Sequence, residues 1–419
     1  MAKSKVTAAL DIGSSKIACL IAQARDDDSG KLHIIGAASS ISKGIRKGQI
    51  VNIDEAVDSI VEAVESAERM AGFNIAKTWV SVDGAHIASQ NSQGVVAVSE
   101  PQGEIGTEDV RRVLEAARAV SLPSSSEIIH VIPKSYIVDG QEGVKDPIGM
   151  TGVRLEVETH IVTGASTAIK NLTKCVAEVG CDVSGIAFGG LASSMSTLSD
   201  TEKELGVVLV DIGGGTSDIA IFVEGALAFS SVLPVGAKNV TNDLAIGLRI
   251  SLESAEKIKI FLGNYKSKDK EDDISLESLN LPEELKSVSY KTLVEGIIRP
   301  RLNELFQLIG GEIKKSGLAG LTPAGLVICG GGALTTGIIE SAKRTLSMPV
   351  RIGYPVDITG LIDDIENPSF ASAVGLLRLS LEGSEQRESG SSIFKNTLSK
   401  LPMKGMVGKL GDLFKSLLP

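Results

Sequence analysis

Residues 6–22, VTAALDIGSSKIACLIA, read as an apolar strand, a tight polar turn and a second apolar strand. Residues 207–223, VVLVDIGGGTSDIAIFV, repeat that plan, with Asp11 mapping onto Asp211, Gly13 onto Gly213 and Lys16 onto Thr216 at a constant offset of 200 residues. Self-similarity on this scale implies two related halves. Between the hairpins, Asp54 is placed to cap a helix that keeps Val57, Ile60, Val61, Val64 and Ala67 on one face to about Ala71. From about residue 85 to 162 the pattern changes to short alternating strands around a single helix. That helix is capped near Thr107 and carries Val110, Val113, Leu114 and Ala117, as expected of a small inserted α+β subdomain. Residues 241–320 hold helices interrupted by a charged, turn-rich stretch over 266–284. The sheet pattern then resumes with a short apolar strand, 326–329, ending in Gly330, Gly331 and Gly332. Asn367-Pro368 opens a small-residue helix through 379, and 382–392, EGSEQRESGSS, reads as a polar linker.

Composition narrows what these elements can build. At 419 residues the chain exceeds one ordinary core, and 43% hydrophobic residues with 45 glycines fit an α/β protein with tight turns. The net charge of -10 argues against a general nucleic-acid binder, which needs a basic surface to replace phosphate counterions. Cys19, Cys175, Cys181 and Cys329 form no C-x-x-C pair and the four histidines show no ligand spacing, so neither structural zinc nor a disulfide framework is expected. The apolar stretch after Lys3 and Lys5 ends at Asp11, too short for a signal peptide, and no apolar run nears the ~20 residues of a spanning helix. A reducing cytosol is the expected compartment.

The glycine turns acquire a chemistry if a polyphosphate lies between them, because glycine lets backbone N–H groups approach anionic oxygens closely. Gly213, Gly214 and Gly215 are the best such cradle. Asp11 and Asp211 would repel phosphate unless a cation stood between, which points to magnesium held largely through water. Lys16 and Thr216 add a charge and a hydroxyl to the same phosphates. A single D-x-G turn would be no more than a tight connection; two matched copies are a different signal. No G-x-x-x-x-G-K-[ST] occurs, and a strand rather than a helix follows each turn, so P-loop and Rossmann sites are excluded. Gly330–Gly332, third after two phosphate hairpins, is expected behind the adenosine of ATP.

On these motifs the chain resembles the FtsA family of bacterial cell-division proteins, within the actin, Hsp70 and sugar-kinase superfamily, over essentially its whole length. The family's phosphate motifs match Asp11, Gly13, Ser14, Ser15 and Lys16, and again Asp211, Gly213, Gly214, Gly215, Thr216 and Ser217. Its adenosine motif matches Gly330, Gly331, Gly332 and Ala333, with Glu256, Lys257 and Lys259 where relatives contact the nucleoside. GLASS at 190–194 and NPSFASAVGL at 367–376 match its connecting helices. The resemblance implies an actin-like α/β fold of two duplicated halves around a nucleotide cleft, binding ATP and Mg2+. Its implied divisions are 1–84 and 163–205 as subdomain 1A, 85–162 as the inserted 1C, 206–240 and 325–366 as 2A, and 241–324 as 2B. A return helix, 367–381, leads to a linker, 382–402, and a membrane-targeting helix, 403–419. Where actins and MreB-like filaments place a Gln or Glu to position the attacking water, this chain reads Phe188-Gly189-Gly190. No catalytic side chain is identified, and tight binding with slow hydrolysis is expected.

Independently of any family, Met403, Met406, Val407, Leu410, Leu413, Phe414, Leu417 and Leu418 fall within an arc of about 140° on a helical wheel. Lys404, Lys409 and Lys415 lie just beyond its edges, where long side chains reach anionic headgroups. From Ser392 onward five lysines face one acid, Asp412. A helix over 403–418 would be about 24 Å long, suited to lying in a membrane surface rather than crossing it. Gly405, Gly408 and Gly411 each cost roughly 1 kcal/mol against alanine, so it should form only on a partner. The resemblance implies that this anchor holds FtsZ filaments at the cytoplasmic face of the inner membrane at the division site, that the chain polymerises, and that 85–162 recruits later division proteins. It places the FtsZ C-terminal peptide on 241–324, where Arg299, Arg301, Asn303 and Glu304 begin a candidate helix. An arginine there could pair with the peptide's acids or bridge to a neighbouring helix. A pilus-assembly scaffold of the PilM type has a similar insertion without this tail; a phosphotransferase would need an acceptor pocket that the sequence does not supply.

Overall fold

The computed structural model describes residues 5–24, 31–99, 103–265, 273–283, 285–361 and 365–382. Contacts divide the chain into two units, Met1–Arg378 and Leu379–Pro419; the architecture below is that of the first. The expected membrane helix, 403–419, and the linker from 383 lie outside the described residues.

Each half is built on a sheet grown from its Asp-Ile-Gly hairpin. In the first, Lys5–Ile12 pairs antiparallel with Lys16–Ala24, which pairs antiparallel with Leu32–Ile41. On the other side of Lys5–Ile12, Lys77–Val82 and then Asp182–Phe188 add in parallel, and Ile358–Gly360 closes the far edge. The second sheet has the same order without that edge strand: Ala226–Leu233, Ser217–Val223, Val207–Ile212, Leu326–Cys329 and Val350–Ile352. The register is also repeated. Asp11 lies opposite Ala18 and Ile12 opposite Ile17; Asp211 lies opposite Asp218 and Ile212 opposite Ser217. Both turns close on one bond, Gly13 N–H to the Lys16 carbonyl at 3.0 Å and Gly213 N–H to the Thr216 carbonyl at 2.9 Å. All six residues of Val207–Ile212 are buried, as expected of a strand covered on both faces.

The helix over the first sheet is Ile53–Ala71, and its cap differs from the sequence expectation. Asn52 stands in extended backbone and its side chain accepts the Glu55 N–H, while Asp54 sits inside the first turn, where its charge meets the positive helix end. The buried face is also shifted, to Ala56, Ile60, Ala63, Val64 and Ala67, leaving Val61 half-buried. Small alanines let the helix lie close on Leu32–Ile41.

The insertion is a four-stranded antiparallel sheet ordered Ala88–Ala97, Arg154–Ala165, Ser126–Val138 and Gln141–Val144, with helix Thr107–Arg118 burying Val113 and Ala117 against it. In the second half, helices Lys238–Leu248, Leu252–Asn264 and Arg299–Lys315 bury Leu244, Ile258, Leu262, Leu302 and Phe306 in one core with Val208, Val210 and Ile219 of the sheet. The candidate helix expected to begin at Arg299 is continuous with a wider π turn over Thr292–Ile298. Pro300 has no N–H to donate, and a wide turn before it relieves the clash its ring would make in a regular helix. Helix Gly189–Thr197 and the helical residues from 371 cross so closely that the Ser196 hydroxyl donates to the Ala371 carbonyl at 2.7 Å. Among the described residues, no helix is long and apolar enough to cross a membrane.

Candidate functional site

The two hairpin turns meet tip to tip. Gly214 lies against Ser15 so tightly that a Cβ there would fall 1.7 Å from the Ser15 hydroxyl, and the Lys238 ammonium donates to the Ser14 carbonyl at 2.6 Å. Beneath them lies a cavity of about 160 Å3. From the residues anticipated in the sequence it collects Asp11, Gly13, Ser14, Ser15, Lys16, Asp211, Gly213, Gly214, Thr216, Gly330 and Gly331. A second chamber of about 260 Å3 adjoins it, sharing Ser15, Gly214 and Gly331 and adding Glu256, Lys259 and Gly332 with Lys238, Leu334 and Thr335.

Other anticipated residues stand elsewhere. Lys257 is exposed and paired with Glu253 at 3.0 Å. Ser217 is fully buried and donates to the Val235 carbonyl at 2.8 Å. Gly215 packs on Ser14, and Ala333 is buried in the core of the second half. Arg301 is engaged bidentately by Asp243, Nε at 2.5 Å and Nη2 at 3.0 Å, and by Glu304 at 2.5 Å. Arg299 pairs with Glu295, and Asn303 keeps a shielded Oδ1 without a partner.

The electrostatics of the first chamber are dominated by acids. Asp11 accepts from the Ser81 hydroxyl at 2.8 Å and the Ser372 hydroxyl at 3.3 Å, and Asp211 accepts from the Ser193 hydroxyl. Burial raises the Asp11 carboxyl above its ordinary range, against the pull of Lys16, and raises Asp211 to about 6, against the Ser193 bond. Lys16 is lowered to about 8 by burial, although Asp11 and Asp211 oppose the shift. Its ammonium donates to the Ser369 carbonyl at 2.6 Å and lies 3.6 Å from the centre of the Phe370 ring, which ties the first hairpin to the return segment.

Sequence reasoning missed two further carboxylates in this chamber, Asp83 and Asp218. Asp83 follows the strand Lys77–Val82 and accepts the Gly189 N–H at 3.0 Å; Asp218 is the register partner of Asp211 and is 4% exposed. Burial first, then neighbouring carboxylates, pushes both well above the usual range. The sequence signal for Asp218 was within reach, as the last residue of DIGGGTSD; that for Asp83 was not, because only the parallel pairing with Asp182–Phe188 carries it to Gly189. Four acids facing one lysine call for a cation. Among the described residues no three His, Cys, Asp or Glu side chains gather as a direct metal cage, so the arrangement suits a dication held through its water shell.

Comparison with known proteins identifies the fold and the family. The family profile described as the SHS2 domain inserted in FtsA matches residues 84–163, and that of cell division protein FtsA matches 208–375. The chain is 42% identical over 396 residues to cell division protein FtsA of Pseudomonas aeruginosa, covering 93% of each chain. It is 40% identical to that of Bacillus subtilis, over 90% of this chain and 84% of the relative, and 37% identical to that of Escherichia coli K12, over 90% and 91%. Among solved structures it is similar to the PilM-PilN type IV pilus biogenesis complex, with a TM-score of 0.63 at 16% identity, covering 89% of this chain and 98% of that one. It also resembles an MreB protein of Spiroplasma citri bound to ADP, with a TM-score of 0.55 at 15% identity, covering 92% and 98%. The fold is therefore actin-like, with an SHS2 insertion. With both profiles matched and such identity across nine-tenths of its length, the chain belongs to the FtsA family of cell division proteins.

Proposed function

We propose that this chain binds Mg-ATP between its two halves and works as an actin-like, self-assembling tether that holds FtsZ filaments at the cytoplasmic face of the membrane during division. The observation that carries the nucleotide reading is the tip-to-tip approach of two hairpins of identical register over a chamber lined by four carboxylates. Backbone N–H groups of both turns would hold the phosphates, and Asp11 and Asp211 would hold hydrated magnesium, which supplies the charge that lets phosphate enter. Glu256, Lys259 and Gly332 would line the nucleoside end. A nucleotide held this way bridges both halves, so its presence sets their closure and hence the shape of any polymer.

The anchor reading rests on the amphipathic pattern of 403–418 and its lysines. The FtsZ C-terminal peptide is assigned to 241–324 and later division proteins to the insertion, 85–162, within the subdomain divisions given above. Because Arg301 is already held by Asp243 and Glu304, an acidic peptide would have to compete for it. Co-sedimentation of full-length and 403–419-deleted protein with anionic vesicles, with and without FtsZ and Mg-ATP, tests the tether. The full chain should carry FtsZ into the vesicle pellet and the shortened chain should not; FtsZ recruitment without 403–419 would refute the anchor.

A further inference from the structure

The side-chain space of residue 189 is filled from another strand. A Cβ built on Gly189 would fall 2.2 Å from Oδ1 of Asp83, the oxygen that accepts the Gly189 N–H. Gly189 is thus the residue that lets the Asp83 carboxylate enter the chamber. On the other flank, a Cβ on Gly190 would lie 3.5 Å from the Asp218 Cβ. Asp218 leaves Oδ1 shielded from solvent and without a hydrogen-bond partner, and a buried carboxylate oxygen left so is costly unless something bound uses it.

The position of this pair along the cleft follows from the chambers. The nucleoside-sized chamber, with Glu256 and Lys259, opens through Ser15, Gly214 and Gly331 into the chamber with the carboxylates. A triphosphate threaded past both hairpins from the nucleoside side ends with its terminal phosphate in the compartment of Asp83 and Asp218. Neither residue carries a positive charge to offer that phosphate, but both offer acceptor oxygens, which suits water rather than phosphate as the group they touch.

We propose that Asp83 and Asp218 hold the water that attacks the terminal phosphate of a nucleoside triphosphate in this cleft, with Asp83 taking its proton. This rests on the nucleotide reading above. In the step, the water oxygen forms a bond to the γ-phosphorus as its proton passes to the Asp83 carboxylate. The bond from that phosphorus to the bridging oxygen breaks, with its electron pair remaining on the β-phosphate of the departing diphosphate. Inorganic phosphate forms, and the proton on Asp83 returns to solvent. The hydrolytic group that the chain lacks at residue 189 is therefore supplied by residue 83.

The test uses full-length protein and isosteric variants. In Asp83→Asn the side-chain oxygen can still accept the Gly189 N–H, so the fold and nucleotide binding should persist. Single-turnover hydrolysis of Mg-ATP should fall by about 10²-fold or more, the scale of a lost general base, while affinity for a fluorescent ATP analogue changes by less than about threefold. Asp218→Asn should lower the rate in the same sense. Pairing Asp83→Gly with Gly189→Glu returns a carboxylate to the chamber from the other strand and should recover at least about tenfold over Asp83→Gly alone. Hydrolysis by Asp83→Asn at the parental rate would overturn the proposal, as would a parental chain that binds ATP and never hydrolyses it. A parental chain that does not bind ATP would instead remove the nucleotide reading, and this step with it.

Discussion

At the scale of single residues, Asp211 links the stability of the fold to the proposed nucleotide site. Its carboxyl is raised to about 6 by burial, so its favourable contribution is complete below its ordinary value near 3.8 and is lost as pH rises through 6. At pH 7.5 the ionised group costs the nucleotide-free protein roughly 3 kcal/mol, the equivalent of that difference in pKa. Asp211→Asn should therefore melt higher than the parent at pH 7.5 without nucleotide, by the equivalent of about 1–3 kcal/mol. It should also lose the extra stabilisation that magnesium gives to ATP. Differential scanning fluorimetry with and without Mg-ATP reads both effects; an unchanged magnesium response would take Asp211 out of the cation site. The same scale explains what could be read beforehand. Asp11, Asp211 and their glycines announce themselves because a strand-turn-strand places its own turn residues together. Asp83 and Ser369 do not, because 106 residues separate Asp83 from Gly189 and 353 separate Ser369 from Lys16.

At the scale of elements, two histidines, His130 half-buried and His160 fully buried, join the insertion to the rest of the molecule. His130, on Ser126–Val138, accepts the Phe188 N–H at 3.0 Å, one residue before Gly189. His160, on Arg154–Ala165, is fully buried between Asn91 at 2.7 Å and Ser230 of the second sheet at 2.8 Å. Burial lowers both to about 4. Folding therefore excludes a proton that the unfolded chain takes up near 6.5, and the stability each neutral ring contributes is present above 6.5 and lost as pH falls toward 4. The expected loss is roughly 3 kcal/mol per histidine. Because the buried carboxylates titrate with the opposite sign, the difference between parent and variant is the clean measure. His160→Gln should flatten the urea-unfolding free energy between pH 6.5 and 4.5 relative to the parent, and parallel curves would show that His160 is not the titrating group. None of this was visible in sequence, where the four histidines have no spacing pattern. The element assignments were more legible: both hairpins, the insertion and its helix stand where the periodicity places them. The first helix's cap was misjudged because Asn52 and Asp54 are both good capping residues, and only the backbone angles at residue 52 distinguish them.

For the whole molecule, nucleotide should act as a clamp. The halves meet at the two hairpin tips, through Lys238 and Ser14, and where the helices at 189–197 and 371–378 cross. A ligand held by both turns stabilises both sheets at once, by about 2.7 kcal/mol at one hundred times its Kd. Hydrogen exchange should therefore slow at residues 13–16 and 213–216 together when Mg-ATP is added. Protection confined to one half would mean that the ligand sits on a single hairpin and does not set closure.

By itself the sequence determined the duplication, the two matched Asp-Ile-Gly hairpin turns, the inserted α+β unit and the amphipathic character of 403–418. These are local properties: hydrophobic period, turn glycines and charge placement act between neighbours along the chain. Only the tertiary structure decided which acids share the chamber, that Asp83 fills the space beside Gly189, that Lys16 is held by Ser369, and that Arg301 is taken by Asp243. Those depend on strand order and helix crossing, where a carboxylate's neighbours lie a hundred or more residues away and its charge is set by what burial removes.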